Sequence, residues 1–335
     1  MRIAEINDIA SVASEIGEGL RQRGHEVDLF EPRLFGARLH PYLKPATIPF
    51  RGLDWLDLAR RVRGGNYDLV HIHYAYLGNL GVLGRLPYIL HCHGTDLRGA
   101  NRFTSPIIAN AMKRARHVFY ATPDLEAWAK PLRADAEFLP NPIDTETFAP
   151  AAPSSEGAGI FVYSALTDVK GAGKILEACR ILSKERPDVR VTAISWGPYA
   201  GQFEQLPNVR MIAKQPRWKL PGIINEHAVI LGQTRLGIAG MAELEAMSCG
   251  RPVVAWFNMG AAYTDPPPFF SPETPEGIAR AAMDLLDDPK ARDEVGERGR
   301  DWVVRHHMRD RIAARVEEVA RAIVTGEDIP PAPPA

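Results

Sequence analysis

The stretch ILGQTRLGIAGMAELEAMSCGRPVVA, residues 230–255, decides the fold. Its apolar start, with Ala228 and Val229 ahead of it, predicts a short buried strand over 228–231. A loop carrying Gly232, Gly237 and Gly240 follows. From Met241 the run Ala242, Glu243, Leu244, Glu245, Ala246, Met247 consists of good helix formers. Gly250 stands where a left-handed helix stop belongs, with Pro252 just beyond it. A second apolar strand over 252–255 completes a strand–loop–helix–strand unit of the parallel α/β kind. A glycine-rich turn ahead of a helix presents backbone N–H groups at the positive end of the helix dipole, which suits an anion such as a diphosphate. Such loops are also common as plain tight turns, so the loop by itself leaves both readings open.

Outward from this segment, 335 residues are too many for one ordinary core and predict two domains. Forty basic against 41 acidic side chains give a net charge of −1, which argues against a nucleic-acid partner held on a large basic surface. Cys92, Cys179 and Cys249 are too dispersed for a disulfide framework or a CxxC metal site, and they fit a reducing cytoplasm. The opening MRIAEIND reads as a core strand rather than a signal peptide. No apolar run reaches the ~20 residues of a membrane span. The segment APAAPSSEGAG, residues 149–159, has linker composition and predicts the domain boundary. The tail over 327–335, ending IPPAPPA, is expected to be disordered.

The first half alternates strands with helices: a strand over 2–6, a helix over 9–23, strands over 25–30, 68–72, 88–92 and 118–121. Asp8 and Ser11 stand where they can cap the first helix. The fourth and fifth of these elements end in His71-Ile72-His73 and His91-Cys92-His93, and at strand period each pair shares a face. Four imidazoles can bind a metal; they can equally bond neighbouring loops at the ligand-binding carboxyl edge of a parallel sheet. No later carboxylate cluster completes a metal site. Lys113, Arg114 and Arg116 can dock anionic headgroups or a phosphorylated acceptor, or simply solvate a helix face.

The run from Gly240 through ELEAMSCGRPVVA resembles the nucleotide-sugar signature of GT-B glycosyltransferases, of the retaining family 4 (group 1) type. HCHGTDLRG, from His91, is similar to that family's HGxD segment. PNPID, from Pro140, is similar to its PNGVD stretch, and the TDVKG run to Gly171 to its phosphate-binding "GRL…KG". The resemblance implies an α/β protein of two Rossmann-like doubly wound domains facing a cleft. These would be an acceptor-side domain over 1–150 and a nucleotide-sugar domain over 151–308, with a helix over 309–326 crossing back to the first. It implies transfer of a hexose-type sugar from a nucleotide diphosphosugar to a hydroxyl acceptor (saccharide, lipid or small molecule), with retention and without a metal or other cofactor. Glu245 matches the glutamate that holds the ribose, Lys170 the lysine on the diphosphate, and His93 the histidine beside the transferred sugar; these three form the catalytic set. The donor set is Lys170, Gly171, Gln233, Arg235, Gly240, Met241, Ala242 and Glu245. The acceptor-side set is Asp8, His73, Asp96 and Arg98.

Two places depart from the pattern. Gly237 stands where the family has its first glutamate, and Ala165 where it has an arginine. Losing one of two cations from a diphosphate site weakens binding by roughly 1.5–3 kcal/mol, and Arg235 is the expected substitute. These departures keep two rivals open: a nucleotide-binding partner that transfers no sugar, and a different GT-B chemistry such as a sugar-nucleotide epimerase. Location is expected to be cytoplasmic, with peripheral contact at the inner face of a membrane left open.

Overall fold

The structure, a computed structural model, describes residues 1–32, 48–101, 104–151 and 159–333. The chain divides into two compact units, Met1–Pro142 with Arg309–Ala335, and Ile143–Met308.

The first unit is built on six parallel strands: β1 (Arg2–Ile6), β2 (Glu26–Phe30), β3 (Leu69–His73), β4 (Tyr88–Cys92), β5 (His117–Tyr120) and β6 (Glu137–Phe138). Their order is β2-β1-β3-β4-β5-β6, so the sheet reverses direction of growth between β1 and β3. Alternation sorts the side chains. Ala4, Ile6, Val70, Ile72, Leu90 and Val118 join one apolar core with Leu58, Val62, Ile108 and Met112 from the covering helices. The other face carries Glu5, His71, His73, His91 and Phe119, and there the Val12–Gln22 helix approaches through Gly17, where an added Cβ would stand 3.7 Å from Glu5 Cγ.

That first helix begins at Val12 rather than at residue 9, because Ala10 (φ 52°) and Ser11 (φ 65°) are left-handed. Ser11 makes no capping bond; Asp8 Oδ1 accepts from the Ser14 amide at 3.2 Å instead. The last helix, Arg309–Thr325, packs on it closely enough that a Cβ at Gly19 would lie 2.6 Å from Ala313 Cβ. Arg309 pairs with Glu15, and Glu317 draws in Arg23, His25 and Arg321. Beyond this helix the chain is irregular to Pro333, and Arg315 donates to the Pro330 carbonyl at 2.8 Å.

The second unit holds β7 (Ile160–Val162), β8 (Val191–Ile194), β9 (Val209–Ile212), β10 (Val229–Leu231) and β11 (Val253–Val254), all parallel, in the order β11-β10-β7-β8-β9. Ile160, Val162, Ile175, Leu182, Val191, Val229, Leu231 and Ile278 form its core. Residues 143–151 belong to this unit because their carbonyls are held there. Ser248 Oγ donates to the Phe148 carbonyl at 2.6 Å and Arg251 to that of Ala151 at 2.7 Å. Of the linker expected over 149–159, residues 152–158 lie outside those described. Among the described residues no helix is long and apolar enough to cross a membrane.

Candidate functional site

The strand–loop–helix–strand unit forms with the helix at Met241–Ser248 and its stop at Gly250 (φ 68°). Loop shape is set from inside. Gln233 is fully buried: its amide donates to the Ile238 and Trp256 carbonyls at 2.9 and 2.8 Å, and its oxygen accepts from the Arg235 and Leu236 amides. Glu243 reaches back to the Gly240 amide at 3.0 Å and takes the Gln233 amide at 2.8 Å, closing the helix start. Gln233 and Glu243 therefore hold the loop open around whatever faces its outer side.

A second loop is fastened to the first. Thr234 donates its amide to the Lys170 carbonyl (2.9 Å) and its hydroxyl to that of Gly171 (3.0 Å). Gly171 has φ 78°, and a Cβ there would meet Thr234 Oγ1 at 2.2 Å, so only glycine fits this junction. The fastening delivers the Lys170 ammonium to the helix start, where an ideal Cβ on Gly240 would be 3.9 Å from Nζ. Among the described residues nothing bonds the Lys170 ammonium or the Met241 and Ala242 amides. A cation and free amides at a helix N-terminus make an anion site. Arg235 is exposed at its rim, donating to the Asp168 carbonyl at 3.1 Å.

Glu245 is nearly buried. Its carboxylate accepts from Arg217 Nε at 2.8 Å and from the Tyr163 hydroxyl. Burial and the neighbouring Glu245 charge push the Tyr163 phenol far above its ordinary range, so it remains a donor. Arg217 and Tyr163 were not singled out from sequence; nothing local marks them, because they reach Glu245 from other loops. Trp196 is 51% exposed, with the Lys214 ammonium 4.5 Å over its ring. A groove of about 540 Å³ lined by Arg190, Arg210 and Trp218 opens at the amino ends of β7 and β8, away from the Lys170 loop.

In the first unit the singled-out residues gather at the carboxyl edge of the sheet. Asp96 is buried and accepts from the amides of Ala75 (2.8 Å), His93 (3.1 Å), Gly94 (2.7 Å) and Leu97 (3.1 Å). Burial pushes its carboxyl pKa up, against those four bonds. Arg98 grips Asp124 through two nitrogens at 2.6 and 2.9 Å. Asp8 caps its helix, as above. His73 is fully buried, with Nε2 2.7 Å from Glu5 and Nδ1 2.9 Å from Nε2 of the half-buried His93. Burial, then the His71 charge, bring His93 down to about 3, so its ring is neutral at physiological pH. Glu5 was missed from sequence, although a glutamate inside the apolar strand RIAEI was a signal.

Two family models cover this arrangement. The one described as Glycosyltransferase Family 4 matches residues 9–147, and the one described as Glycosyl transferases group 1 matches residues 144–302. The chain belongs to these glycosyltransferases. It is 26% identical over 349 residues to the GDP-mannose-dependent alpha-(1-6)-phosphatidylinositol monomannoside mannosyltransferase of Mycolicibacterium smegmatis, covering 89% of this chain and 90% of that one. Its match to the GDP-mannose-dependent monoacylated alpha-(1-6)-phosphatidylinositol monomannoside mannosyltransferase of Corynebacterium glutamicum, 27% over 197 residues, spans about half of each (50% and 51%). Among solved structures, HepE of Anabaena with UDP and glucose aligns at TM-score 0.73 and 14% identity, over 96% of this chain and all of that one. Sucrose-phosphate synthase of Thermosynechococcus elongatus aligns at 0.77 and 15%, over 98% and 100%. The fold is GT-B. This glycosyltransferase departs from the signature at Gly237, and the backbone there explains the glycine: φ is 70°, and a Cβ would sit 2.1 Å from Asn258 Oδ1.

Proposed function

We propose that this glycosyltransferase moves a hexose from a nucleotide diphosphosugar to a hydroxyl acceptor with retention of anomeric configuration. The observation that carries the reading is the Lys170 ammonium, without a partner among the described residues, beside the start of the Met241–Ser248 helix. Lys170 and the Met241 and Ala242 amides neutralise the departing diphosphate, and stabilisation of that developing charge is the main catalytic contribution. Arg235 adds a second cation from the rim. Glu245 offers about four lone-pair sites, so ribose hydroxyls share a carboxylate already oriented by Arg217 and Tyr163. His93, neutral and half-buried, contacts the sugar. The leaving phosphate assists the acceptor, since among the described residues no side chain stands out as a general base, and the chemistry needs no cation at the phosphates.

The names of the two mannosyltransferase relatives make GDP-mannose the first donor to try and a lipid-linked saccharide the first acceptor. Peripheral membrane contact is supported by a cavity of about 630 Å³ lined by Arg85, Lys113, Arg114, Arg116 and Arg133. The test is a thermal-shift panel of GDP, UDP, ADP and their sugar conjugates, followed by proton NMR of the product's anomeric configuration. A ligand at ~100 times its dissociation constant adds ~2.7 kcal/mol of stability. An inverted product defeats retention; no shift with any nucleotide defeats the whole reading. A second reading, a nucleotide-binding partner without transfer, is favoured by Gly237, whose surroundings leave no room for a glutamate. Turnover of any sugar nucleotide, abolished in Lys170→Ala, excludes it.

A further inference from the structure

One face of the first unit's sheet carries a row of polar side chains that sugar transfer leaves unexplained. Strand register sets Glu5 of β1 against His71 of β3, and His73 against His91 of β4. All four are 0% exposed. Glu5 meets His71 Nδ1 with both oxygens, at 3.1 and 3.2 Å, and His73 Nε2 at 2.7 Å. These contacts turn one nitrogen of each ring to the carboxylate and leave the other, His71 Nε2 and His73 Nδ1, free of it. Among the described residues, His71 Nε2 and both nitrogens of His91 have no hydrogen-bond partner. One donor atom from each of His71, His73 and His91 lies within 4.8 Å of the other two.

Buried polar atoms are almost always satisfied, so unsatisfied nitrogens on both His71 and His91 point to a ligand that accepts one lone pair from each ring. A histidine that binds a metal almost always gives its other N–H to a carboxylate, which is the relation Glu5 has to two of these rings. An all-imidazole donor set disfavours magnesium and calcium, which take oxygen ligands.

We propose that His71, His73 and His91 hold one divalent cation of the zinc class, with Glu5 orienting two of the rings and His93 as the fourth donor. The His73 Nδ1 to His93 Nε2 separation of 2.9 Å is near the roughly 3.3 Å between ligand atoms that zinc–imidazole bonds of about 2.0–2.1 Å impose. The remaining rings close by on the order of an ångström. The half-buried His93 marks the side of entry. The expectation of no metal rested on the lack of a later carboxylate cluster and on the family resemblance; Glu5 supplies a carboxylate from the strand before the histidines. The ion ties β1, β3 and β4 together, and its site shares His93 with the sugar-transfer reading.

The test uses the full chain without a polyhistidine tag, stripped with a chelator and titrated with zinc or cobalt chloride against a chromophoric competitor. Expected are one equivalent per chain by mass spectrometry of the metal, a rise in unfolding temperature, and the visible spectrum of nitrogen-ligated cobalt. His91→Phe abolishes the equivalent, and Glu5→Gln weakens affinity about 10–100-fold. Should His91→Phe not fold, the wild-type cobalt spectrum and Glu5→Gln still decide. A folded wild-type chain that takes up neither ion at stoichiometry overturns the proposal, as does a folded His91→Phe that keeps the full equivalent.

Discussion

Asp96 in the first unit accepts four backbone amides, whereas Lys170 in the second has no partner for its ammonium among the described residues. Both stand in short helical turns past the carboxyl ends of parallel strands, and both sit in motif-like runs. Their neighbours follow suit: Asp8 and Arg98 are taken up by Ser14 and Asp124, while among the described residues the Met241 and Ala242 amides stay unclaimed. A polar group satisfied inside the fold shapes a loop, and one left unsatisfied at a helix N-terminus is available to a ligand. Motif membership does not separate these two roles; hydrogen-bond bookkeeping does.

The contrast breaks most readily at Lys170. Lys170→Ala is expected to lower kcat about 10²–10³-fold, the scale of one lost electrostatic donor, while the unfolding free energy moves by less than about 0.5 kcal/mol. Steady-state kinetics beside urea unfolding checks both halves. Asp96→Ala is the mirror image, expected to cost about 2–4 kcal/mol because buried amides lose their acceptor. If urea midpoints for Asp96→Ala match wild type, the scaffold role assigned to it is wrong.

Gly237→Glu sharpens the comparison within the second unit. Restoring the family's glutamate forces a left-handed backbone on a residue with Cβ and drives it into Asn258. Strain alone costs about 1–3 kcal/mol, and Asn258→Gly in the same chain should recover part of it by calorimetry. Glu317 tests how far the first unit depends on satisfied charge. Burial pushes its pKa up, but bonds from Arg23, Arg321 and His25 outweigh that and hold it at about 2, below the unfolded value of about 4.3. The sign follows: this stabilisation is fully present above about pH 4.3 and is lost as pH falls toward 2. Allowing for solvent screening it amounts to about 1–2 kcal/mol, and an Arg23→Ala chain should show a flatter acid limb in unfolding. The smallest effect is expected at Arg235, exposed and held by one carbonyl: Arg235→Ala should weaken nucleotide binding about 2–10-fold in calorimetric titration. Undiminished affinity would remove it from the diphosphate site.

The glycine loop, the helix from Met241 and its stop at Gly250 were legible in the sequence. So were the parallel strands at β3, β4 and β10, with ends shifted by a residue or two. Residue periodicity, helix formers and glycine conformations act over a few neighbours, and those neighbours are adjacent in the chain. The start of the first helix was misjudged because two non-glycine residues take left-handed backbone, which no residue type announced.

By itself, then, the sequence determined the α/β alternation and the glycine-opened helix start with its lysine nearby. Only the tertiary structure decided that Glu5 meets His71 and His73, 66 and 68 residues away, and that Tyr163 and Arg217 converge on Glu245 from 82 and 28 residues away. Those pairings depend on β1 lying beside β3 and on loops brought to one sheet edge. Strand order is chosen by how helices cover both faces of the sheet, a property of the packed whole rather than of any one stretch.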